Sequence, residues 1–329
     1  MSAPSLLRMS TPLRADFEIP YHDVGDPSRP PRLALVAGLH GNEVNGVFVL
    51  ARLASFLHRI AESRTPGLEL RDRILVVPAV NVLGVNTGDR RWPFDDTDIN
   101  RMFPGYSGGE TTQRIAAAVM NLTSQAYYRV DIHASNVDFE ELPQVRLYAA
   151  TAAERASAIL FGLPAVVERP LNAIVSSTLA HAWRACEGEN FVIQAGIAGM
   201  LQPQHCERLF RSLVSFLHRT GIVSGTHLSE DEDVHYFGTD QSFPLISETA
   251  GLFVSRLEVG RWVRGGDVIG QIFDGFEGEL RAEVHAPLSG LLSGLRRRPT
   301  IYEGDLIARI QSPQSVPAVA DTFLPGQGQ

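Results

Sequence analysis

Leu33-Ala34-Leu35-Val36-Ala37-Gly38-Leu39-His40-Gly41-Asn42-Glu43, followed by the helical pattern from Val44 to Ile60, is the stretch that decides the fold. An unbroken apolar run that stops at a glycine and reopens with helical spacing reads as a buried strand, a tight turn and a helix. Val47, Leu50, Leu53, Ala54 and Leu57 carry that spacing. In open α/β sheets such a turn lies at the carboxyl edge of the strands, where ligands bind. His40 and Glu43 share the turn, and imidazole with carboxylate is a donor set that suits zinc. Two ligands are not a site, because H-x-x-E is also an ordinary way to begin a helix.

Outward from this unit, strands and helices alternate. Arg73 to Val80, Tyr128 to His133, Val145 to Ala149, Ala165 to Glu168 and Phe191 to Ala195 read as strands. Thr111 to Ser124, Thr151 to Phe161, Ser176 to Cys186 and Pro203 to Thr220 read as helices. Asp16 to Pro20 reads as an edge strand, and Asn81 to Gly109 as a long loop of the functional kind. The expected fold is an α/β domain, with a mixed, largely parallel sheet flanked by helices.

After Val223 the pattern changes to short strands with Gly-Asp turns. Gly251 to Ile272 and Gly290 to Ile310 form an approximate internal repeat, which predicts a small all-β sandwich or barrel. The expected domains are 1–228, an acidic linker at 229–242, the β domain at 243–312 and a disordered tail at 313–329.

The composition is that of an ordinary globular protein, with 44% hydrophobic and 20% charged residues in 329. A formal net charge of -8 argues against a general nucleic-acid or anionic-membrane binder. Arg296-Arg297-Arg298 is a surface run by default. No signal peptide is read at the N-terminus and no later run approaches a membrane span, so a cytoplasmic location is expected. Cys186 and Cys206 form no C-x-x-C pair, so neither a disulfide framework nor a thiolate zinc site is indicated. There is no lysine, which excludes Schiff-base chemistry.

His133 ends a strand at the same expected sheet edge. With His40 and Glu43 it gives two ligands close in sequence and one distant, the pattern of a catalytic zinc that keeps its fourth position open. Asp131 either orients the site from behind His133 or faces the other way. In the long loop, Asn100 and Arg101 can hold a carboxylate, the guanidinium bidentately. The alternative for that loop is solvated charge.

These motifs together, Gly38-x-His40-Gly41-Asn42-Glu43, Asp98-Ile99-Asn100-Arg101-x-Phe103-Pro104-Gly105 and Asp131-Ile132-His133, resemble the succinylglutamate desuccinylase/aspartoacylase family of zinc-dependent deacylases, which are similar in fold to zinc carboxypeptidases. The resemblance covers about residues 15 to 310. It implies one zinc per chain on His40, Glu43 and His133, and a small carboxylate-bearing substrate held by Asn100 and Arg101. It also implies that Arg90 or Arg91 polarises the scissile carbonyl. The β domain resembles a lipoyl or biotinyl sandwich, but without lysine it is expected to be a cap, a scaffold or a homo-oligomer contact.

One departure limits the activity implied. Family members carry a general-base glutamate late in the sheet, and Gln194 stands at that position in Phe191-Val192-Ile193-Gln194-Ala195-Gly196. A carboxamide cannot accept a proton at neutral pH, and acid-base assistance is worth about 10²- to 10⁴-fold. An impaired zinc-containing binding or sensor protein, a base from Glu140, Glu141, Glu187 or Glu189, an easier reaction such as ester hydrolysis, and an engineered substitution are the explanations left open.

Overall fold

The computed structural model describes residues 4–11, 13, 16–172, 176–225 and 233–315. It divides into two units, one of residues 1–134 and 143–234, the other of residues 135–142 and 235–329. Residues 229–232 of the expected acidic linker and 316–329 of the expected tail lie outside the described residues.

The sheet of the first unit contains β1 (His22–Val24), β2 (Pro31–Ala37), β3 (Arg73–Val77), β4 (Tyr128–Ser135), β5 (Phe139–Tyr148), β6 (Ala165–Arg169) and β7 (Glu189–Ile197). Their spatial order is β6-β5-β7-β4-β2-β3-β1. β2 runs parallel to both β3 and β4, β5 runs parallel to β6, and the short edge strand β1 is antiparallel to its neighbour β3.

Strand parity explains why helices cover both faces. Leu33, Leu35 and Ala37 of β2, Val130 and Ile132 of β4, and Ile193 and Ala195 of β7 pack on one face. Against them lie Leu50, Leu53 and Leu57 of α1 (Val44–Ala61) and Leu209, Leu213 and Phe216 of α6 (Pro203–Arg219). Val36 and Val77 point to the opposite face, against Ile115, Ala116 and Val119 of α3 (Thr111–Thr123). Alternation of side chains along each strand makes one run serve both layers. Gly46 lets α1 approach closely, because a Cβ there would lie 3.0 Å from Ile132 and 3.1 Å from Ala37.

α1 is also apolar and long enough, by length and composition alone, to match a membrane span, which the sequence reading did not grant it. Its buried residues at positions 49, 50, 53, 54, 57 and 60 are those of a core helix.

Three local expectations need correction. The loop from Asn81 to Gly109 contains α2 (Val82–Thr87), capped by the Asn81 side chain on the Gly84 N–H. After α4 (Ala152–Ala158), the helix expected at Ser176–Cys186 is a single turn, α5 (Leu179–Ala182), followed by a 3-10 turn. Strand β5 begins six residues before the expected Val145, because the charge at its start is neutralised within the second unit, where Glu140 pairs with Arg297.

The second unit is antiparallel. It contains β8 (Ser242–Ile246), β9 (Gly251–Ser255), β10 (Trp262–Val263), β11 (Val268–Phe273), β12 (Leu280–His285), β13 (Gly290–Arg296), β14 (Thr300–Ile301) and β15 (Leu306–Gln311). β9 pairs with β11 and β13 with β15, and each long pair lends its intervening short strand to the other: β10 joins β13 and β14 joins β9. The turns repeat too. Asp267 accepts from the Arg264 N–H and Asp305 from the Tyr302 N–H, each at 2.8 Å across three residues. Phe253, Ile272, Leu292 and Ile310 lie in their common core. The three successive arginines are paired in this unit, Arg296 with Asp305, Arg297 with Glu140 and Glu258, and Arg298 with Asp138.

Candidate metal centre

β2 ends at Ala37, and Gly38 turns the chain with φ +62, in the left-handed region that glycine tolerates. The Val80 and Asn81 N–H groups donate to the Ala37 and Gly38 carbonyls, which fastens the following loop to this turn. Glu43 occupies the N-cap position of α1 but caps nothing with its side chain. A capping side chain is typically worth about 1 kcal/mol to a helix. Here the carboxylate turns instead toward two imidazoles.

His40 Nδ1 lies 2.7 Å from Glu43 Oε1, and His133 Nδ1 lies 2.9 Å from Glu43 Oε2. The Ala134 N–H also donates to Oε2, at 2.9 Å. Donor atoms of His40, Glu43 and His133 all fall within 4.8 Å of one another, and the three residues are almost fully buried. Behind the imidazoles stand two carboxylates. Asp98 Oδ1 is 3.1 Å from His40 Nε2, and Asp131 Oδ2 is 2.9 Å from His133 Nε2. A carboxylate on the outer nitrogen fixes the tautomer, leaving the inner nitrogen's lone pair for an ion.

Asp131 therefore faces His133, the outcome that strand parity left open. The role of Asp98 was missed, although it lies two residues before Asn100 in a stretch already singled out.

The electrostatics follow from this packing. Burial alone would raise the Glu43 pKa, but the charges of His40 and His133 and their hydrogen bonds outweigh it and hold the carboxyl well below the usual range. Asp98 is likewise opposed by burial, yet is held low by its bond to His40 and by Arg90 and Arg101. Burial works against charge on His133, while Asp131 and Glu43 raise its pKa well above the ordinary value. Three carboxylates around two imidazoles form a site built for positive charge. Its donor set fits a divalent cation held by three protein groups.

The loop residues divide. Arg90 Nη1 lies 3.1 Å from Glu43 Oε1, and the Arg90 carbonyl accepts from the Gly41 N–H at 3.2 Å. Arg91 pairs with Asp96 at the surface, at 2.7 Å. The structure thus brings Arg90, not Arg91, to the cluster of His40, Glu43 and His133. Asn100 Oδ1 accepts from the Leu179 N–H, and Asn100 Nδ2 comes to 3.4 Å from His133 Nε2. With the Nε2 proton directed to Asp131, Asn100 Nδ2 is left as a donor. Arg101 Nη1 donates to the Asn100 carbonyl at 3.0 Å.

Gln194 sits on β7, next to β4 in the sheet. Ile193 and Ala195 pack with Ile132 on the face covered by α1 and α6, so Gln194 shares the opposite face with Asp131 and His133. The Glu189 N–H donates to the Tyr127 carbonyl at 2.8 Å, and continuing this parallel register places Gln194 opposite His133. Gln194 Oε1 accepts from Arg146 Nη1 at 3.4 Å, a contact the sequence reading missed because it joins residues on two strands. Arg146 also lines a small cavity with Arg184, Asn190 and Val192.

Of the alternative bases, Glu187 and Glu189 lie at the amino end of β7, with Glu189 accepting from the Tyr127 hydroxyl at 2.9 Å. Five residues of strand separate Glu189 from Gln194, about 16 Å. Glu140 is bound to Arg297, and it and Glu141 belong to the second unit.

The sequence profile of the succinylglutamate desuccinylase/aspartoacylase catalytic domain matches residues 29–218. N-alpha-acetyl-L-2,4-diaminobutyric acid deacetylase of Halomonas elongata is 27% identical over 292 residues, 85% of this chain and 82% of the relative. Two solved structures share the fold. The product-bound ectoine utilization protein EutE (DoeB) of Ruegeria pomeroyi has a TM-score of 0.75 at 23% identity, covering 93% of both chains. A succinylglutamate desuccinylase of Silicibacter has a TM-score of 0.76 at 23% identity, covering 94% of both.

Proposed function

Since the chain belongs to the succinylglutamate desuccinylase/aspartoacylase family, we propose that it is a zinc-dependent deacylase acting on an N-acylated amino acid or a related small carboxylate. The observation that carries this reading is the convergence of His40, Glu43 and His133, with Asp98 and Asp131 behind the two imidazoles. A zinc ion held there supplies Lewis acidity and acidifies water.

The chain's own residues supply the rest. Asn100 Nδ2 and the Arg101 guanidinium bind the substrate carboxylate and fix its orientation. The Arg90 guanidinium donates to the acyl oxygen as negative charge develops there. Gln194 neither accepts nor returns a proton, so the leaving amine is protonated slowly. The relative named for N-α-acetyl-diaminobutyrate makes that compound the first substrate to test. A cytoplasmic location belongs to the same reading.

Gln194 also favours a second reading, a zinc-containing binding or sensor protein, or a hydrolase of esters. The two separate in one experiment, in which zinc-loaded chain is given N-α-acetyl-diaminobutyrate and both its binding and the amine released are measured. Turnover abolished by chelation and by His133→Ala supports the deacylase. Binding without turnover supports the second reading, and neither binding nor turnover across a panel of N-acyl amino acids and esters removes both.

A further inference from the structure

His22 and His58 form a second cluster of ligating side chains, away from the site described above. His22 is on the edge strand β1, and His58 is in the last turn of α1. His22 Nδ1 lies 3.3 Å from His58 Nε2, with ring centroids 5.4 Å apart and planes at 68°. Both rings are partly buried. Each stands on a fixed element: β1 pairs with β3 through His22 and Val76, the adjacent Asp23 is gripped by Arg73 through two bonds of 2.7 Å, and α1 is anchored along its buried face.

We propose that His22 and His58 are a second, accessory metal site for a borderline divalent cation of the zinc, nickel and copper class. Two points support it. Zn–N bonds of about 2.0–2.1 Å in a tetrahedral arrangement place two ligand nitrogens about 3.3–3.4 Å apart, which is the separation these nitrogens already have. At the first cluster, the residues that fit an ion also touch one another through their donor atoms, and this pair has the same signature.

Water completes the coordination. The bound ion ties the edge strand to the end of α1, so its effect is on stability rather than on acyl transfer.

The test uses the full chain with His40→Ala and His133→Ala, which removes the first cluster, titrated with zinc and separately with nickel by calorimetry. One equivalent of each metal is expected, nickel at least as tight in line with the usual affinity order once solution speciation is taken into account. Adding His58→Gln, which keeps a hydrogen-bonding side chain, abolishes it. Thermal melts with and without metal should show a rise that His58→Gln eliminates. No saturable binding, or binding indifferent to His58→Gln, overturns the assignment. If the variant lacking the first cluster does not fold, the unsubstituted chain decides: two equivalents falling to one in His58→Gln supports the site, and one equivalent in both refutes it.

Discussion

Gln194→Glu is the perturbation whose outcome reveals most about the chemistry. It puts a carboxylate on the sheet face shared with His133, at the position where the family resemblance implies a general base. Acid-base assistance from such a group is worth about 10²- to 10⁴-fold. The structure places the gain at the lower end of that range. Arg146 Nη1 lies 3.4 Å from the Gln194 oxygen, and two unit charges at that distance attract by about 5 kcal/mol at an effective dielectric constant of 20. The new carboxylate would be held well below its ordinary pKa, and a base so stabilised is weaker. We expect kcat/KM for N-α-acetyl-diaminobutyrate to rise about 10²-fold in the zinc-loaded variant, with activity persisting to unusually low pH because the carboxylate stays ionised there. The assay is initial rate of amine release across pH 4.5 to 8.5, roughly the range that straddles carboxylate and imidazole titration. A change of less than about twofold, against this 10², would show that the reaction does not use this position.

Other predictions rest on separate features. Asp131→Asn keeps an acceptor for His133 Nε2 but removes the charge 2.9 Å away; zinc affinity measured against a competing chelator should fall about 10- to 100-fold. Arg129→Met should cost about 3–5 kcal/mol in denaturant unfolding. The fully buried guanidinium donates to the carbonyls of Ser124, Ala126 and Glu187, and methionine leaves them without a donor. The His22 pKa is lowered from 6.5 in the folded chain. The unfolded chain therefore takes up a proton first as pH falls through that value, and stability present at neutral pH is lost below it. With chelator present, His22→Asn should melt with a smaller loss between neutral pH and pH 5 than the unsubstituted chain, and an equal loss would count against this cause.

Legibility in the sequence followed the length scale of the interaction. The strand, turn and helix around Gly38 were readable because burial on both faces of β2 and the 3.6-residue spacing of α1 are written in adjacent residues. The repeat in the second unit was readable for the same reason, since its Gly-Asp turns recur with their strands. Features that depend on residues distant in the chain were not. The extension of β5 through Glu140 rests on Arg297, the orientation of Gln194 on Arg146, and the choice between Arg90 and Arg91 on which guanidinium reaches Glu43. α2 is different, because Asn81 is an ordinary N-cap signal. The run was too short for periodicity to mark it, and the Gly, Asn and Pro residues around it read as loop.

The central claim is that His40, Glu43 and His133 hold one zinc ion, and a crystal structure of the zinc-loaded chain with anomalous diffraction at the zinc edge tests it most directly. The account predicts a strong anomalous peak bound by His40 Nδ1, His133 Nδ1 and the Glu43 carboxylate, with Asp98 and Asp131 still on the outer nitrogens. Zinc-loaded crystals with no peak between these three residues, and with Glu43 still bridging the two imidazoles, would contradict it.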